Sequence, residues 1–273
     1  MTAPTLFGIV NITEDSFSDG GRHLEPDAAI AAARRLAADG ADVIDLGAAA
    51  SNIAARAVAA AAEIRRLDPV IAALRADGIP VSVDSFAPQT QRFALRAGVA
   101  FLNDIQGFPD ASLYPELAAA RCRLVVMHAV QGRGRAQQVA VPAAQIWRRI
   151  DEFFADRIAA LEHAGVARQR LVLDPGMGFF LSSDAGASLR VLAGLDGFKR
   201  RFGLPVLVSV SRKSFLAAIT GHAEPGARGP ATLAAELYAA AKGVDFIRTH
   251  DPGALRDGLA VTRALKAHEA LNE

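Results

Sequence analysis

Residues Arg75–Asp84 read RADGIPVSVD, in which a helical stretch closes at a glycine, a short apolar run follows and a carboxylate ends the run. A glycine suits the left-handed residue that closes a helix. An apolar run without polar alternation is typical of a strand that is buried on both faces. The same unit recurs as AADGADVIDLG near Asp45, RAGVAFLND at Asn103 and Asp104, HAGVARQRLVLD at Asp174 and AKGVDFIRTH at Arg248 and His250.

Short buried strands that alternate with helices predict a parallel sheet. Strands are predicted at Leu6–Ile12, Asp42–Gly47, Val81–Asp84, Phe101–Ile105, Leu124–His128, Leu171–Asp174, Pro205–Ser211 and Asp245–His250. Helices are predicted at Asp27–Ala38, Arg56–Ala76, Pro88–Ala97, Leu113–Ala120, Ala143–Ala164, Ala187–Phe202, Thr232–Ala241 and Ala254–Ala267. This order predicts an α/β chain that forms one (β/α)₈ TIM barrel over residues 1–273. The alternative, an open doubly wound sheet, usually carries a glycine-rich phosphate fingerprint after its first strand, and TEDSFSDGG is not one.

The bulk composition fits this fold and narrows the function. The chain has 273 residues, close to the ~250 of a typical TIM barrel. A formal charge of +1 argues against a dedicated nucleic-acid-binding protein. The single cysteine, Cys122, is expected to be a buried structural thiol. Because no leader-like start and no membrane-length apolar run are found, a cytoplasmic location is expected.

Polar residues follow every predicted strand, where TIM barrels place their catalytic groups. Each of them alone is explained equally well as a turn former or helix cap, and Asp45 and Asp104 are expected to be structural in this way. Together they predict one active site at the carboxyl ends of the strands. Its members are Asn11, Asp45, Asp84, Asn103, His128, Asp174, Ser211 with Lys213, and Arg248 with His250.

These residues divide into two chemical groups. Asp84, Asn103 and Asp174 supply the acceptors and the amide that suit a heterocycle edge with several N–H donors. Lys213, Arg248 and His250 supply the positive charge that suits a phosphate, and Lys213 is expected to begin a helix. Two alternatives stay open: the cations are solvated surface charges, or His250 is a core histidine satisfied by its neighbour Asp251.

Seven motifs in order resemble the dihydropteroate synthases of folate biosynthesis: FGIVNITEDSFSDGG, VSVDSF, FLNDI, VVMH, LDPGMGF, SVSRKSF and FIRTHD. The resemblance covers nearly the whole chain. It implies condensation of dihydropterin pyrophosphate with p-aminobenzoate, with Mg²⁺ as cofactor and a homodimer as the assembly. The implied mechanism is dissociative, so that pyrophosphate leaves before the arylamine attacks.

The resemblance also assigns roles to individual residues. Asp84, Asn103, Asp174 and Lys213 match pterin-binding positions, and Met127 and Phe179 match the apolar residues that flank the ring. Asn11, Arg248 and His250 match positions that handle magnesium and pyrophosphate, with Asn11 as the metal ligand. Ser51, Phe180, Ser209 and Ser211 match the side of the site that receives p-aminobenzoate. Catalysis is implied for Asp84, Asp174, Lys213, Arg248 and His250.

The departures from the family pattern fall on the p-aminobenzoate side. Asn52 stands for an arginine, Ser51 for a threonine and Ser209 for a glycine, and Phe180 is an added bulky residue. These changes are similar to those of the sulfonamide-insensitive synthases carried by mobile resistance elements. The resemblance therefore implies a site that admits p-aminobenzoate and rejects the larger sulfonamide.

Two other functions are compatible with parts of the sequence. A pterin-binding methyltransferase barrel would share the Asp and Asn set, although it would not need the SRKS and RTH motifs to hold pyrophosphate. A non-catalytic pterin-binding paralogue is suggested by Asn52 in place of the family arginine. Release of pyrophosphate from the two synthase substrates separates the synthase from both.

Overall fold

The computed structural model describes residues 3–13, 26–49, 58–131 and 136–269. Its strands are all parallel and follow the order β6-β5-β4-β3-β2-β1-β8-β7. A bridge between Leu173 and Val206, with Leu173 N donating to Pro205 O at 2.9 Å, joins β6 to β7 and closes the ring. The strands are β1 Thr5–Asn11, β2 Val43–Gly47, β3 Val81–Asp84, β4 Phe101–Asp104, β5 Arg123–Met127, β6 Leu171–Asp174, β7 Leu207–Val208 and β8 Phe246–Thr249. The predicted TIM barrel is confirmed.

The helices differ from the prediction in number. The described residues form α1 Pro26–Ala38, α2 Ala60–Ala76, α3 Pro88–Ala97, α4 Tyr114–Ala119, α5 Ile146–His163, α6 Ala185–Ala193, α7 Leu195–Phe202, α8 Ser214–Thr220, α9 Gly229–Ala241 and α10 Pro252–Glu269. The single helix predicted over Ala187–Phe202 is two helices that meet at Gly194. The indole of Trp147 packs there so closely that a Cβ on Gly194 would lie 2.6 Å from it. No described helix is long and apolar enough to cross a membrane.

The seventh strand is much shorter than predicted. The apolar run Pro205–Ser211 contributes only Leu207–Val208 to the ladder. Pro205 has no N–H to donate. At the other end, the Ser211 hydroxyl is hydrogen-bonded to His250 and the chain turns toward α8. Two of the remaining predicted strands, Val81–Asp84 and Leu171–Asp174, have the observed bounds, and the others differ by one residue at one end or at both.

Residues that alternate along each strand face either the helices or the barrel interior. The lower interior is apolar, and Phe7, Phe101 and Phe246 form a cluster there with ring centroids 4.9–5.7 Å apart. Arg123 covers this cluster, with its guanidinium carbon 4.9 Å from the centre of the Phe246 ring. The polar interior residues lie nearer the carboxyl ends of the strands, so the candidate site occupies one end of the barrel.

Candidate active site

The strand register sets the residues of the site side by side. Asn11 pairs with Gly47, Gly47 with Asp84, and Asp84 with Asn103, which places these four positions in one row across β1–β4. Met127 pairs with Asp174 on β5 and β6 in the same way. The sequence-predicted pterin residues therefore converge at one end of the barrel.

Arg248 lies between two carboxylates inside the barrel. Its Nε donates to Asp45 Oδ2 at 2.5 Å and its Nη2 donates to Asp84 Oδ2 at 2.7 Å. The Arg248 side chain is 15% exposed and that of Asp45 only 1%. Burial opposes the charge of Arg248, but the negative charges of Asp45 and Asp84 outweigh it and raise its pKa, so the guanidinium stays charged.

The prediction that Asp45 is a turn former or cap is wrong. Asp45 is an interior residue of β2, and its partner is the guanidinium of Arg248. Its other oxygen, Oδ1, is buried and has no partner among the described residues. The prediction for Asp104 is confirmed, because its carboxylate accepts from the backbone N–H groups of Gln106 at 2.8 Å and Phe108 at 3.1 Å.

Burial dominates the electrostatics of the acids and of Lys213. It raises the pKa of Asp84 to about 6, against the positive charge of Arg248, and it raises the pKa of Asp174 to about 6 as well. Burial and then Arg248 lower the pKa of Lys213 to about 8, while Asp174 and Asp84 oppose that shift. At pH 7 Asp84 and Asp174 are therefore carboxylates, and they lie within electrostatic reach of the cations Lys213 and Arg248.

The loop after β6 is held in place by backbone contacts. Gly176 N donates to Asp174 Oδ1 at 2.8 Å, and Gly176 has φ +77°. A Cβ on Gly176 would lie 2.4 Å from the carbonyl oxygen of His128, so only glycine fits there. His128 Nδ1 donates to Pro175 O at 3.2 Å, because a carbonyl oxygen can only accept. Burial lowers the His128 pKa to about 4, so the ring is neutral. His128 therefore supports the loop from the core.

An apolar wall stands beside the acids. Met127 and Phe180 are buried in a small cluster with Ile105, and Phe179 packs against it half-buried. The ammonium of Lys213 lies 4.9 Å from the centre of the Phe180 ring, within the range of a cation–π contact. Phe180 therefore contacts Lys213, the cation that the family resemblance assigns to pterin binding.

Ser211 and His250 form a hydrogen-bonded pair. Ser211 Oγ lies 2.8 Å from His250 Nδ1 and accepts from the His250 backbone N–H at 3.2 Å. Burial, followed by the positive charges of Arg212, Arg248 and Lys213, lowers the pKa of His250 well below its ordinary value. When the Ser211 hydroxyl donates to Nδ1 of the neutral ring, the ring hydrogen is on Nε2, which can then donate to a ligand. The suggested partner Asp251 instead accepts from Ala254 N at the start of α10, so that alternative is wrong.

Ser51 and Asn52 lie outside the described residues. Ser209 is buried at the end of β7. Lys213 begins a helix as predicted, but α8 has only seven residues, so its amino terminus contributes little as an anion site. Sequence analysis missed Ser214, whose hydroxyl lies 3.5 Å from the position of a Cβ on Gly178 and so borders the Phe180 turn.

No group of three or more His, Cys, Asp or Glu residues in the described part of the chain could hold a metal ion by itself. Asn11 ends β1, and its Oδ1 lies 3.5 Å from the position of a Cβ on Gly47. Gly47 thus leaves room beside an amide oxygen. This fits Mg²⁺, which usually binds few protein oxygens and takes its other ligands from water and substrate phosphates.

Comparisons with known proteins agree with this geometry. The model of the pterin binding enzyme family matches residues 7–250. The chain is 63% identical over 261 residues to the dihydropteroate synthase type-2 of Escherichia coli, with 96% of each chain covered. It superposes on Xanthomonas albilineans dihydropteroate synthase with 4-aminobenzoic acid at a TM-score of 0.87, with 37% identity, covering 97% of this chain and 94% of that chain. For the Xanthomonas albilineans enzyme in complex with 7,8-dihydropteroate, the TM-score is 0.83 at 36% identity, covering 98% and 96%.

Proposed function

This chain belongs to the pterin binding enzyme family and, within it, to the dihydropteroate synthases, and from that membership we propose how its residues divide the reaction. The reaction joins 6-hydroxymethyl-7,8-dihydropterin pyrophosphate to p-aminobenzoate and releases pyrophosphate. The observation that carries the proposal is the grouping of Asp84, Asp174, Lys213 and Arg248 at one end of the barrel. Two anions suit a cationic pterin, and two cations suit an anionic leaving group.

The pterin edge is bound by Asp84, Asn103 and Asp174. Asn103 is 3% exposed, and its Oδ1 has no partner among the described residues. Since buried polar atoms are normally hydrogen-bonded, this oxygen fits an N–H of the ring. Asp174 uses Oδ1 to hold Gly176, which leaves its other oxygen for the pterin. Lys213 donates to ring acceptors, and Met127 and Phe179 supply apolar contacts.

The pyrophosphate is bound by Arg248, His250 and Asn11. Ser211 orients His250 so that the Nε2 hydrogen can donate to a phosphate oxygen. Arg248 is held by Asp45 and Asp84 and thus has a fixed position before substrate arrives. We propose Mg²⁺ as the cofactor, with Asn11 as its protein ligand. When bound, Mg²⁺ supplies charge neutralisation for the diphosphate.

The chemical step needs little movement of protons within the protein. The bond between the pterin methylene carbon and the pyrophosphate oxygen breaks, and the oxygen keeps the electron pair. Arg248 and His250 stabilise the charge that develops on the leaving group. Asp84 and Asp174 stabilise the pterin cation until the amine nitrogen of p-aminobenzoate forms the new C–N bond. The nitrogen then loses one proton to the released pyrophosphate.

We assign the p-aminobenzoate side to Phe180, Ser209 and Ser211. Ser51, the fourth residue that the family resemblance assigns there, lies outside the described residues. The Ser211 hydroxyl is hydrogen-bonded to His250. Ser211 therefore shapes the p-aminobenzoate side through the backbone turn that it begins, and not through its hydroxyl. The turn after β7 is the region proposed to receive the carboxylate of p-aminobenzoate, and the Phe180 ring beside it lies against the ammonium of Lys213.

We further propose reduced sulfonamide sensitivity, because the buried Phe180 ring narrows this side of the site. Phe180→Leu removes ring volume and is expected to lower the inhibition constant for a sulfonamide about tenfold or more, with a smaller change in KM for p-aminobenzoate. Phe93→Leu on α3 is the matched control, since Phe93 packs against the core away from the site. An inhibition constant that is unchanged in Phe180→Leu would rule out this role.

The synthase reaction is tested by pyrophosphate release when the two substrates are mixed with the protein. Lys213→Ala and Arg248→Ala are expected to lower kcat/KM by about 100-fold or more, because each removes a charge that the transition state needs. Lys266→Ala and Arg263→Ala, on exposed positions of α10, are the controls. Absence of pyrophosphate release from the unmodified chain would favour the non-catalytic alternative. Complementation of a synthase-deficient bacterium, with and without sulfonamide, tests the same activity in cells.

We also propose that the protein is a cytoplasmic homodimer. Tyr238 on α9 and Val261 and Leu265 on α10 are 46%, 61% and 62% exposed, which is unusual for large apolar side chains that stay in water. A second copy would cover them. Light scattering at twice the mass of one chain is the expected result.

A further inference from the structure

The turn between Ser211 and Lys213 has an unusual backbone. Arg212 adopts φ +59°, in the left-handed region. A residue other than glycine pays a conformational penalty there, so the surrounding structure must hold it. The turn separates two site residues, because Ser211 is bonded to His250 while Lys213 lies against Phe180. The backbone conformation of Arg212 therefore sets the directions in which the side chains of Ser211 and Lys213 point.

Helix α9 and the residue before it hold this turn from outside the barrel. Thr232 Oγ1 accepts from Arg212 N at 3.0 Å, and Arg228 Nη1 donates to Arg212 O at 2.7 Å. Thr232 is 5% exposed and Arg228 is 8% exposed. Both polar groups of the Arg212 backbone are thus fixed by buried side chains that the proposed mechanism does not use.

The same face of α9 reaches the end of β8 one turn further along. Glu236 follows Thr232 by four residues, is 1% exposed and has a buried Oε1 without a hydrogen-bond partner among the described residues. Its carboxyl lies near the Thr249 hydroxyl, which lowers the Glu236 pKa against the effect of burial. Thr249 stands between Arg248 and His250 in sequence, and its outward side chain lies opposite theirs. Burial and then the charge of Asp251 raise the pKa of Glu236 to about 8, so the carboxyl is neutral at pH 7.

We propose that Thr232 and Glu236 are positioning residues, which align the two segments that carry Lys213, Arg248 and His250. The inference rests on the proposed function of those three cations. One rigid helix face contacts both the turn after β7 and the end of β8, so it fixes the distance between the charges that bind pterin and those that bind pyrophosphate. Neither residue is proposed to touch substrate.

The test compares a disrupting and a conservative variant at each position. Thr232→Val keeps the shape and removes the acceptor, and it is expected to lower kcat/KM for dihydropterin pyrophosphate about tenfold or more. Thr232→Ser restores the hydroxyl and is expected to stay within about threefold of the unmodified protein. Glu236→Leu and Glu236→Gln make the corresponding pair, since the amide can replace a neutral carboxyl.

Thr262→Val is the matched control, because the Thr262 hydroxyl on α10 donates only to Gly258 O within its own helix among the described contacts. Equal losses in Thr232→Val and Thr262→Val, or no rescue by Thr232→Ser and Glu236→Gln, would overturn the proposal. If a disrupting variant does not fold, a conservative variant that is folded but inactive also overturns it. Failure of the unmodified chain to release pyrophosphate would instead count against the proposed function.

Discussion

Replacing Asp45 by asparagine tests whether the interior ion pair sets both stability and activity. The change keeps the side-chain shape and one acceptor oxygen but removes the charge that faces Arg248 at 2.5 Å. Asp45 is 1% exposed and Arg248 is 15% exposed, so water replaces little of the lost interaction.

The magnitude follows from these two values. Removing one partner of a buried pair costs about 3–5 kcal/mol, and a hydrogen bond to a charged group contributes about 1.5–3 kcal/mol. Because asparagine keeps an acceptor and Arg248 keeps Asp84, we expect Asp45→Asn to lower the free energy of unfolding by about 2–3 kcal/mol. We also expect kcat/KM to fall about tenfold, because Arg248 is then held from one side only.

Equilibrium urea denaturation measures the first effect and pyrophosphate release the second. Glu162→Gln is the matched control, since its pair with Arg168 spans 3.2 Å at the surface with both side chains 36–45% exposed. Such a pair contributes about 0.2–1 kcal/mol. If Asp45→Asn is no less stable than Glu162→Gln and equally active, the pair with Arg248 has no role in either property and the interpretation is refuted.

Two further predictions concern the acids and the β6 loop. Burial raises the pKa of Asp84 and Asp174 to about 6 from an ordinary 3.8, so the folded chain binds more protons than the unfolded chain between these values. The free energy of unfolding is therefore expected to fall as pH rises from about 4 to about 6. The value of kcat/KM is expected to fall as pH drops below about 6, because Asp84 and Asp174 then become protonated. An activity profile that is flat across pH 6 would contradict this. Gly176→Ala forces a Cβ within 2.4 Å of His128 O, whereas Gly203→Ala, also at positive φ, meets nothing within 4 Å. Urea denaturation should show a loss of about 1–3 kcal/mol beyond that of Gly203→Ala, and equal losses would argue against the steric explanation.

The sequence was sufficient to predict the barrel and the positions of most site residues. Both depend on local signals: a glycine that closes a helix, an apolar run, and a polar residue where the run ends. Because parallel strands all end on the same side, residues far apart in sequence such as Asp84 and Arg248 could be placed together without any coordinates.

What the sequence did not predict depends on contacts between distant segments. An aspartate after an apolar pair is equally typical of a turn, so the pairing of Asp45 with Arg248, 203 positions later, had no local signal. Gly194 divides a continuous helical pattern because Trp147 packs against it. The left-handed conformation of Arg212 was also missed, since arginine gives no indication of positive φ and the side chains that hold it come from α9.

The aromatic cluster of Phe7, Phe101 and Phe246 has a consequence for how such a chain changes under drug selection. Each aromatic pair contributes about 0.5–1.5 kcal/mol beyond its buried area, and all three lie at the end of the barrel away from the substrates. This reserve of stability is independent of the residues that we propose to distinguish p-aminobenzoate from a sulfonamide. Substitutions around Phe180 that weaken folding can therefore accumulate without unfolding the chain. Stability that is supplied at one end of the barrel therefore allows substitutions at the other end.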